Sequence, residues 1–193
     1  MTQPDVIETV RGLGWSVHRV AGGPECRFTL LDRMLTITPR VRTGSVQTLR
    51  LNPGVGTAAF DRAYDAVSGD RDRVTHPFLH DFGDTGTIRT DRLSEGDVRS
   101  ACARILDWAA AQDLDQEVRR LSEAPTDSPG NLPVMHLAAL ALTGQLDRLR
   151  EYAASFARGD RLGFVPYIDR GHLERAISHA MPRAADERDA PVA

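Results

Sequence analysis

The sequence predicts an α+β fold in which a small antiparallel sheet is followed by a C-terminal helical annex. Three observations support this prediction. Short segments between Trp15 and Leu51 alternate apolar and polar residues and are rich in β-branched residues, as half-buried strands are. Two more such segments lie between Phe78 and Leu93. Beyond Ser94 the apolar residues recur at three- and four-residue spacing, which is typical of amphipathic helices.

The first part of the chain is predicted to form a helix and an antiparallel meander. Pro4 is tolerated in the first turn of the helix, because its missing N–H has no intrahelical partner there. Asp32-Arg33 separates two strand-like runs and therefore predicts a tight hairpin. The predicted elements are a helix at Pro4–Leu13 and strands at Trp15–Val20, Cys26–Leu31, Met34–Val41 and Val46–Leu51.

The second part is predicted to contain another helix, a hairpin and a long helix. Ser94 is a favourable N-cap for that long helix, and Asp97 can complete a capping box with it. The predicted elements are a helix at Thr57–Val67, a polar loop at Ser68–Thr75, strands at Phe78–Phe82 and Thr87–Leu93, and a helix running to Leu121. The meander consists of the three strands Cys26–Leu31, Met34–Val41 and Val46–Leu51. With the meander counted as these three strands, the order of elements is α-β-β-β-α-β-β-α.

Glu123–Gly130 is the predicted linker, because two prolines and a glycine without a large apolar residue disfavour a helix. It divides the sequence into an α+β domain at 1–122 and a helical annex at 131–181 packed on that domain, with a flexible tail at 182–193. The annex elements are helices at Pro133–Gly144, Leu146–Phe156 and His172–Met181, with an irregular link at Arg161–Ile168.

Composition narrows the classes of function. The net charge of −3 argues against generic nucleic-acid binding. All 24 basic residues are arginine, whose guanidinium group suits paired contacts with carboxylate or phosphate. No apolar run approaches the roughly 20 residues of a membrane span, and we expect no secretory signal and a cytoplasmic location. Cys26 and Cys102 lie in apolar patterns and are expected to be small buried hydrophobic residues.

The densest group of potential catalytic or metal-binding side chains is His76-Pro-Phe-Leu-His80-Asp81-Phe-Gly-Asp84. In a strand, His80 and Asp81 point to opposite faces, and His76 and His80 are about 13 Å apart. This spacing favours half-buried strand histidines over a metal site, and we expect no metal or cofactor. Capping or surface roles are expected for the remaining helix histidines, which are His136, His172 and His179.

Gly54-x-Gly56 lies between a predicted strand and a predicted helix, where phosphate-binding loops occur. It lacks the Lys-Ser/Thr of a P-loop, so it is interpreted as a strand end and helix start. Two short basic clusters, Arg40-Val-Arg42 and Arg119-Arg120, are interpreted as solvated surface.

The loop after the second annex helix combines Arg161, Phe164, Tyr167 and Asp169, a composition typical of interface anchors. We predict that these four residues bind a partner. The alternative is that Phe164 and Ile168 pack inward and hold the annex against the sheet.

The element order over Pro4–Leu121 resembles the class I chaperones of type III secretion and the related YbjN-like proteins. That resemblance implies a small cytoplasmic α+β protein that binds other polypeptides. The annex has no counterpart in those chaperones. Its segment from Met135-His-Leu-Ala-Ala-Leu-Ala-Leu to Val-Pro-Tyr-Ile168 resembles a bacterial family of unassigned function.

These observations predict a non-enzymatic protein that binds a secreted toxin or effector, either as an immunity protein or as a secretion chaperone. An immunity protein would form a one-to-one complex, whereas a chaperone would be expected to form a homodimer. The alternative prediction is a small hydrolase or transferase that uses the His76–Asp84 region.

Overall fold

The computed structural model describes residues 1–20, 22–69 and 76–181. It confirms the α+β class, with antiparallel sheets followed by C-terminal helices. The helices are α1 (Gln3–Gly12), α2 (Ala58–Ser68), α3 (Glu95–Ala110), α4 (Leu114–Ser122), α5 (Leu132–Leu142), α6 (Leu146–Ala157) and α7 (Arg170–Ala180). The strands are β1 (Ser16–Val20), β2 (Gly23–Leu30), β3 (Arg33–Ile37), β4 (Arg40–Arg42), β5 (Gln47–Arg50), β6 (Gly54–Thr57), β7 (Leu79–His80) and β8 (Thr87–Thr90). Most of the predicted loop at 68–75 and the predicted tail at 182–193 lie outside the described residues.

The described strands form two antiparallel sheets rather than one. Five strands pair in the order β1-β2-β3-β6-β7, and three pair in the order β4-β5-β8. Six strands therefore lie between α1 and α2, which is more than in the element order on which the resemblance to secretion chaperones rests.

The chain changes sheet at two X-Pro steps, and this explains the additional strands. The run predicted as one strand at Met34–Val41 ends as β3 at Ile37, because Pro39 has no N–H to continue the ladder. The chain returns at Asn52-Pro53, where Asn52 has a positive φ of 43° and its side-chain amide donates to Thr38 O (3.2 Å). The β4–β5 hairpin between these steps is thereby directed into the second sheet.

The turn between β2 and β3 is one residue earlier than predicted. Leu30 pairs with Arg33, so the two turn residues are Leu31 and Asp32, not Asp32 and Arg33. Leu31 has a positive φ of 56° and is 90% exposed. Arg33 belongs to β3 instead, and its guanidinium donates to Ala109 O (2.5 Å) and Gln112 O (2.9 Å) at the end of α3.

The long helix predicted to run to Leu121 is two helices, α3 and α4. The predicted N-terminal cap is confirmed, because Ser94 and Asp97 form a reciprocal capping box. The helix ends at the C-cap Ala111, and the guanidinium of Arg33 adds hydrogen bonds to the Ala109 and Gln112 carbonyl groups next to this end.

The described residues divide into two compact units. The first contains residues 1–61 and 76–114, and the second contains 62–69 and 115–181. The divisions fall inside α2 and at the first residue of α4, so most of α4 groups with the later helices. The predicted boundary at residue 122 therefore differs from the division between these compact units.

The core of the first unit lies where α1 and α3 pack with the strands. Val6, Val10, Ile37 and Ile105 are fully buried there, and Trp15 packs against Phe28 with ring centroids 5.2 Å apart. In the second unit, α5 is buried on nearly all sides and packs with α6 and α7. None of the helices in the described part of the chain has the length and hydrophobicity to span a membrane.

Both cysteines are buried in the first unit and neither forms a disulfide. Burial raises the pKa of each thiol to about 11, and in Cys102 the proximity of Cys26 adds to the effect. We therefore expect a thiol reagent such as DTNB to modify neither residue in the native protein at about pH 8, because the thiolate is the reactive form. Both thiols should react once the protein is unfolded in guanidinium chloride. Rapid modification of the native protein would contradict this expectation.

Candidate functional site

Six polar residues lie on one face of the three-stranded sheet. Strand pairing sets Arg40 opposite Arg50 and Arg50 opposite Thr87, and sets Arg42 opposite Thr48 and Thr48 opposite Arg89. The intervening row, Val41–Leu49–Ile88, points to the other side because side chains alternate along a strand. We call the first surface the arginine face: Arg40, Arg42, Thr48, Arg50, Thr87 and Arg89.

The arginine face borders a cleft of about 490 Å³. Four of its seven lining residues are arginine, none is acidic, and the lining also contains Val41, Thr48 and Asn52. The guanidinium groups come from three different strands, so the fold concentrates charge that is dispersed in the sequence. We call this opening the arginine cleft.

The arginine face is not neutralised by nearby carboxylates. Within the described residues, no carboxylate lies within 4.0 Å of the guanidinium groups of Arg40, Arg42, Arg50 or Arg89. Arg40 donates to Gly22 O (2.6 Å), which leaves its charge uncompensated. Arg40 and Arg50 lie directly opposite each other, and like charges in that position destabilise a sheet. An anionic group in the cleft would relieve this repulsion.

A smaller cleft of about 190 Å³ continues from the arginine cleft and shares Arg50 and Asn52 with it. Its remaining lining residues are Pro53, Asp81, Phe82, Gly83, Asp84, Gly86 and Thr87. Phe82 is 94% exposed, an unusual position for an aromatic side chain. Asp81 Oδ1 accepts a hydrogen bond from Gly83 N (2.7 Å), whereas Asp81 Oδ2 is buried without a hydrogen-bond partner in the described structure. We call this opening the Phe82 cleft.

Contacts behind the sheet fix the position of both clefts. Leu49 and Leu51 are fully buried. Leu51 N donates to Gly86 O (3.0 Å), and Asp81 N donates to Pro53 O (3.1 Å). Arg104 of α3 donates to Thr85 O and Thr87 O at 3.1 and 3.4 Å. The arginine face is therefore a preformed surface supported by a hydrophobic core.

A protein-family model described as a family of unknown function, DUF6990, matches residues 2–181. The chain belongs to the DUF6990 family. The match covers both the strand-rich part and the annex, including the segment that the sequence links to a family of unassigned function. No curated protein and no solved structure matches the chain.

The DUF6990 chain holds His76 and His80 in separate environments. His76 N donates to Asp61 Oδ1 (2.7 Å), and hydrogen bonds from His76 lower the pKa of Asp61 even though burial acts to raise it. Burial lowers the pKa of His80, whose ring lies 5.8 Å from that of Phe82. His80 lines neither the arginine cleft nor the Phe82 cleft, although Asp81 and Asp84 line the latter. No group of three or more potential metal ligands occurs within residues 1–20, 22–69 and 76–181.

The glycines at 54 and 56 belong to strand β6, so the interpretation as a strand end was wrong for these residues. A Cβ at Gly54 would lie 2.8 Å from Pro77 Cβ and 2.9 Å from His80 Nδ1. Close packing of the 76–80 segment against β6 is therefore the physical reason for glycine at this position.

The predicted partner-binding loop is held by internal contacts. Phe164 is 3% exposed and packs against Tyr152 and Phe156, with ring centroids 5.4 and 5.7 Å away. Arg161 donates to Val165 O, Pro166 O and Ile168 O.

The other two predicted loop residues also have internal partners. Asp169 caps α7 through a reciprocal capping box with His172, and its hydrogen bond with the His172 side chain lowers its pKa. Tyr167 is 48% exposed and donates to Gly130 O. Of the four predicted residues, Tyr167 is therefore the one with a large side chain exposed to solvent. Binding of a partner by this loop stays a prediction.

The expectation of a capping or surface role was wrong for His136. This residue is fully buried in α5, with Nδ1 2.9 Å from Leu121 O and Nε2 3.3 Å from Tyr152 Oη. Because a carbonyl only accepts, Nδ1 carries the proton and Nε2 accepts from the tyrosine hydroxyl. Arg148 Nε in turn donates to Tyr152 Oη (2.8 Å). This chain of hydrogen bonds requires a neutral imidazole.

Burial lowers the pKa of His136, so protonation of this residue should destabilise the fold in acid. Its contribution to the free energy of unfolding is complete above the unfolded pKa of about 6.5 and is lost as pH falls through the lower folded pKa. When the free energy of unfolding is measured with denaturant across this pH range, it should depend less steeply on pH in His136→Phe than in wild type. Burial of His80 acts in the same direction, so some dependence of stability on pH should remain in this variant. An unchanged pH dependence in His136→Phe would contradict the assignment.

Proposed function

We propose that this protein has no catalytic role and binds another polypeptide through the arginine face. The observation that supports this proposal is the cluster of four guanidinium groups around a 490 Å³ cleft, with no carboxylate of the described residues within 4.0 Å of them. Guanidinium is planar, is always charged, and forms paired hydrogen bonds with carboxylates. The expected partner therefore presents acidic side chains.

The chemistry of the two clefts favours binding over catalysis. The titratable lining residues are four arginines and two aspartates, and the lining contains no cysteine or histidine. The hydroxyl of Thr48 has no general base among the lining residues of the arginine cleft, which nucleophilic catalysis would need. Permanent positive charge beside a fixed sheet is suited to recognition.

The charge distribution also favours a polypeptide over a nucleic acid. The chain carries a net charge of −3, and the Phe82 cleft next to the arginine face contains Asp81 and Asp84. A nucleic-acid groove would need positive charge that continues along the phosphate backbone. An acidic patch of limited length on a protein matches the arginine face more closely.

Within this proposal, the partner is a secreted bacterial toxin or effector, and the protein acts in the cytoplasm as an immunity protein or as a chaperone. The preformed support behind the arginine face is suited to a one-to-one immunity complex. Light scattering separates the two roles, because a monomer that forms a one-to-one complex favours immunity and a homodimer favours the chaperone.

Affinity purification from the native host, followed by mass spectrometry, tests the proposal. Wild-type protein would be compared with a variant carrying Arg40→Ser, Arg42→Ser, Arg50→Ser and Arg89→Ser. The control carries the same change at four exposed arginines elsewhere, which are Arg11, Arg99, Arg150 and Arg170. We expect one polypeptide to co-purify with wild type and control but not with the first variant. Recovery of this polypeptide with all three proteins would overturn the proposal. The proposal would also be overturned if wild type and control co-purified a nucleic acid, and not a polypeptide, that the first variant failed to retain.

A further inference from the structure

We infer that the arginine face recognises an extended segment in which acidic residues alternate, and that an apolar residue of the same segment contacts Phe82. This inference rests on the proposed function and specifies the chemistry of the partner. It is based on the spacing of the arginines and on the properties of the adjoining Phe82 cleft.

The spacing of Arg40 and Arg42 matches the repeat of an extended chain. They are alternate residues of β4, so they share a face and their Cα atoms are about 6.6 Å apart. A second extended segment repeats its side chains on one face over the same distance. Carboxylates at positions i and i+2 can therefore contact both guanidinium groups, and adjacent carboxylates would point to opposite sides.

The width of the arginine face also favours an extended segment. Arg42 and Arg89 lie on the two outer strands, on either side of Thr48 in β5. Strands are about 4.8 Å apart, so the two outer strands are separated by about 9.6 Å. An extended chain takes up about one strand spacing in width, which is half of this separation. An extended chain can lie between the arginines and bring its carboxylates to Arg50 as well.

The Phe82 cleft determines where the acidic part of the segment ends. Asp81 and Asp84 would repel further carboxylates, whereas the exposed ring of Phe82 offers a contact for an apolar side chain. Since Arg50 and Asn52 line both openings, the segment can pass directly from one to the other.

Fluorescence anisotropy with three labelled peptides of identical composition tests this inference. In the first, glutamates alternate with serines and a leucine follows the last glutamate. In the second, the glutamates are consecutive and the leucine keeps its position. In the third, the glutamates alternate and the leucine is moved to the opposite end. We expect wild-type protein to bind the first peptide about tenfold more tightly than the second, with a smaller advantage over the third.

Two protein variants make the outcomes distinguishable. Phe82→Ser should weaken binding of the first peptide but not of the third, and the variant with four serines on the arginine face should bind none of them. Equal affinity for the first two peptides would overturn the inference, yet the proposed function would stand if binding still required the arginines. Failure to bind any of the peptides would overturn the inference, while arginine-dependent recovery of a host polypeptide would preserve the proposed function. Tighter binding of inorganic pyrophosphate or a single-stranded oligonucleotide than of every peptide would overturn both.

Discussion

Truncation of Phe164 to alanine is expected to lower the free energy of unfolding by about 3–5 kcal/mol, the usual effect of removing a buried aromatic ring. Phe164 is 3% exposed, and its ring packs edge-on against those of Tyr152 and Phe156 and lies 6.3 Å from the ring of His136. The substitution would therefore open a cavity between α5 and α6 and remove the aromatic contacts as well. Equilibrium unfolding in guanidinium chloride measures the effect.

The matched control is Phe82→Ala, which removes the same side chain from a position that is 94% exposed. Its effect on the free energy of unfolding should remain within about 0.5 kcal/mol, as for most surface substitutions. A loss below about 1 kcal/mol in Phe164→Ala would show that the ring is not part of a well-packed core in solution. Such a result would restore Phe164 as a candidate partner contact.

The sequence identifies the fold class and several element ends because these depend on local patterns. The capping box of Ser94 and Asp97 and the proline in the first turn of α1 involve residues within one helical turn. The loop at Arg161–Asp169 shows the limit of such reasoning. Its composition fits an interface, but the burial of Phe164 depends on rings contributed by α6.

The arginine face was not predicted because its residues meet only through tertiary structure. Arg40 and Arg42 are two residues apart, a spacing that places them on one face of a strand, and this was the local indication of the site. Arg50 and Arg89 join them through strand pairing, which in turn depends on the change of sheet at Thr38-Pro39. A prediction of one continuous strand at Met34–Val41 places Arg40 in the wrong sheet and conceals the cluster.

His136 shows the same limit for a single residue. A histidine among alanines and leucines gives no local indication of its hydrogen-bond partners, which are Leu121 and Tyr152 in two other helices. Fifteen and sixteen positions separate His136 from these partners in the sequence. Only the packing of α5 with its neighbours shows that a buried polar side chain is satisfied there.

Charge reversal at Arg50 is expected to weaken partner binding by roughly 100-fold, because it removes one favourable charge pair and creates a repulsive one. Arg50 is the most sensitive position for this test since it lines both the arginine cleft and the Phe82 cleft. Titration calorimetry of wild type and Arg50→Glu with the polypeptide recovered from the native host measures the change. Increasing ionic strength should weaken binding by wild type, because salt screens exposed charges.

Arg50→Glu should weaken binding without lowering stability. The carboxylate introduced at position 50 faces Arg40 across the β4–β5 pair, so a like-charge contact becomes an attractive one. The free energy of unfolding should stay constant or rise by up to about 1 kcal/mol. Arg19→Glu, on the exposed side of β1, changes the net charge equally and should leave partner affinity within about threefold of wild type. Equal losses of affinity in the two variants would mean that net charge governs binding. A loss of stability in Arg50→Glu would contradict the expected relief of repulsion between positions 40 and 50.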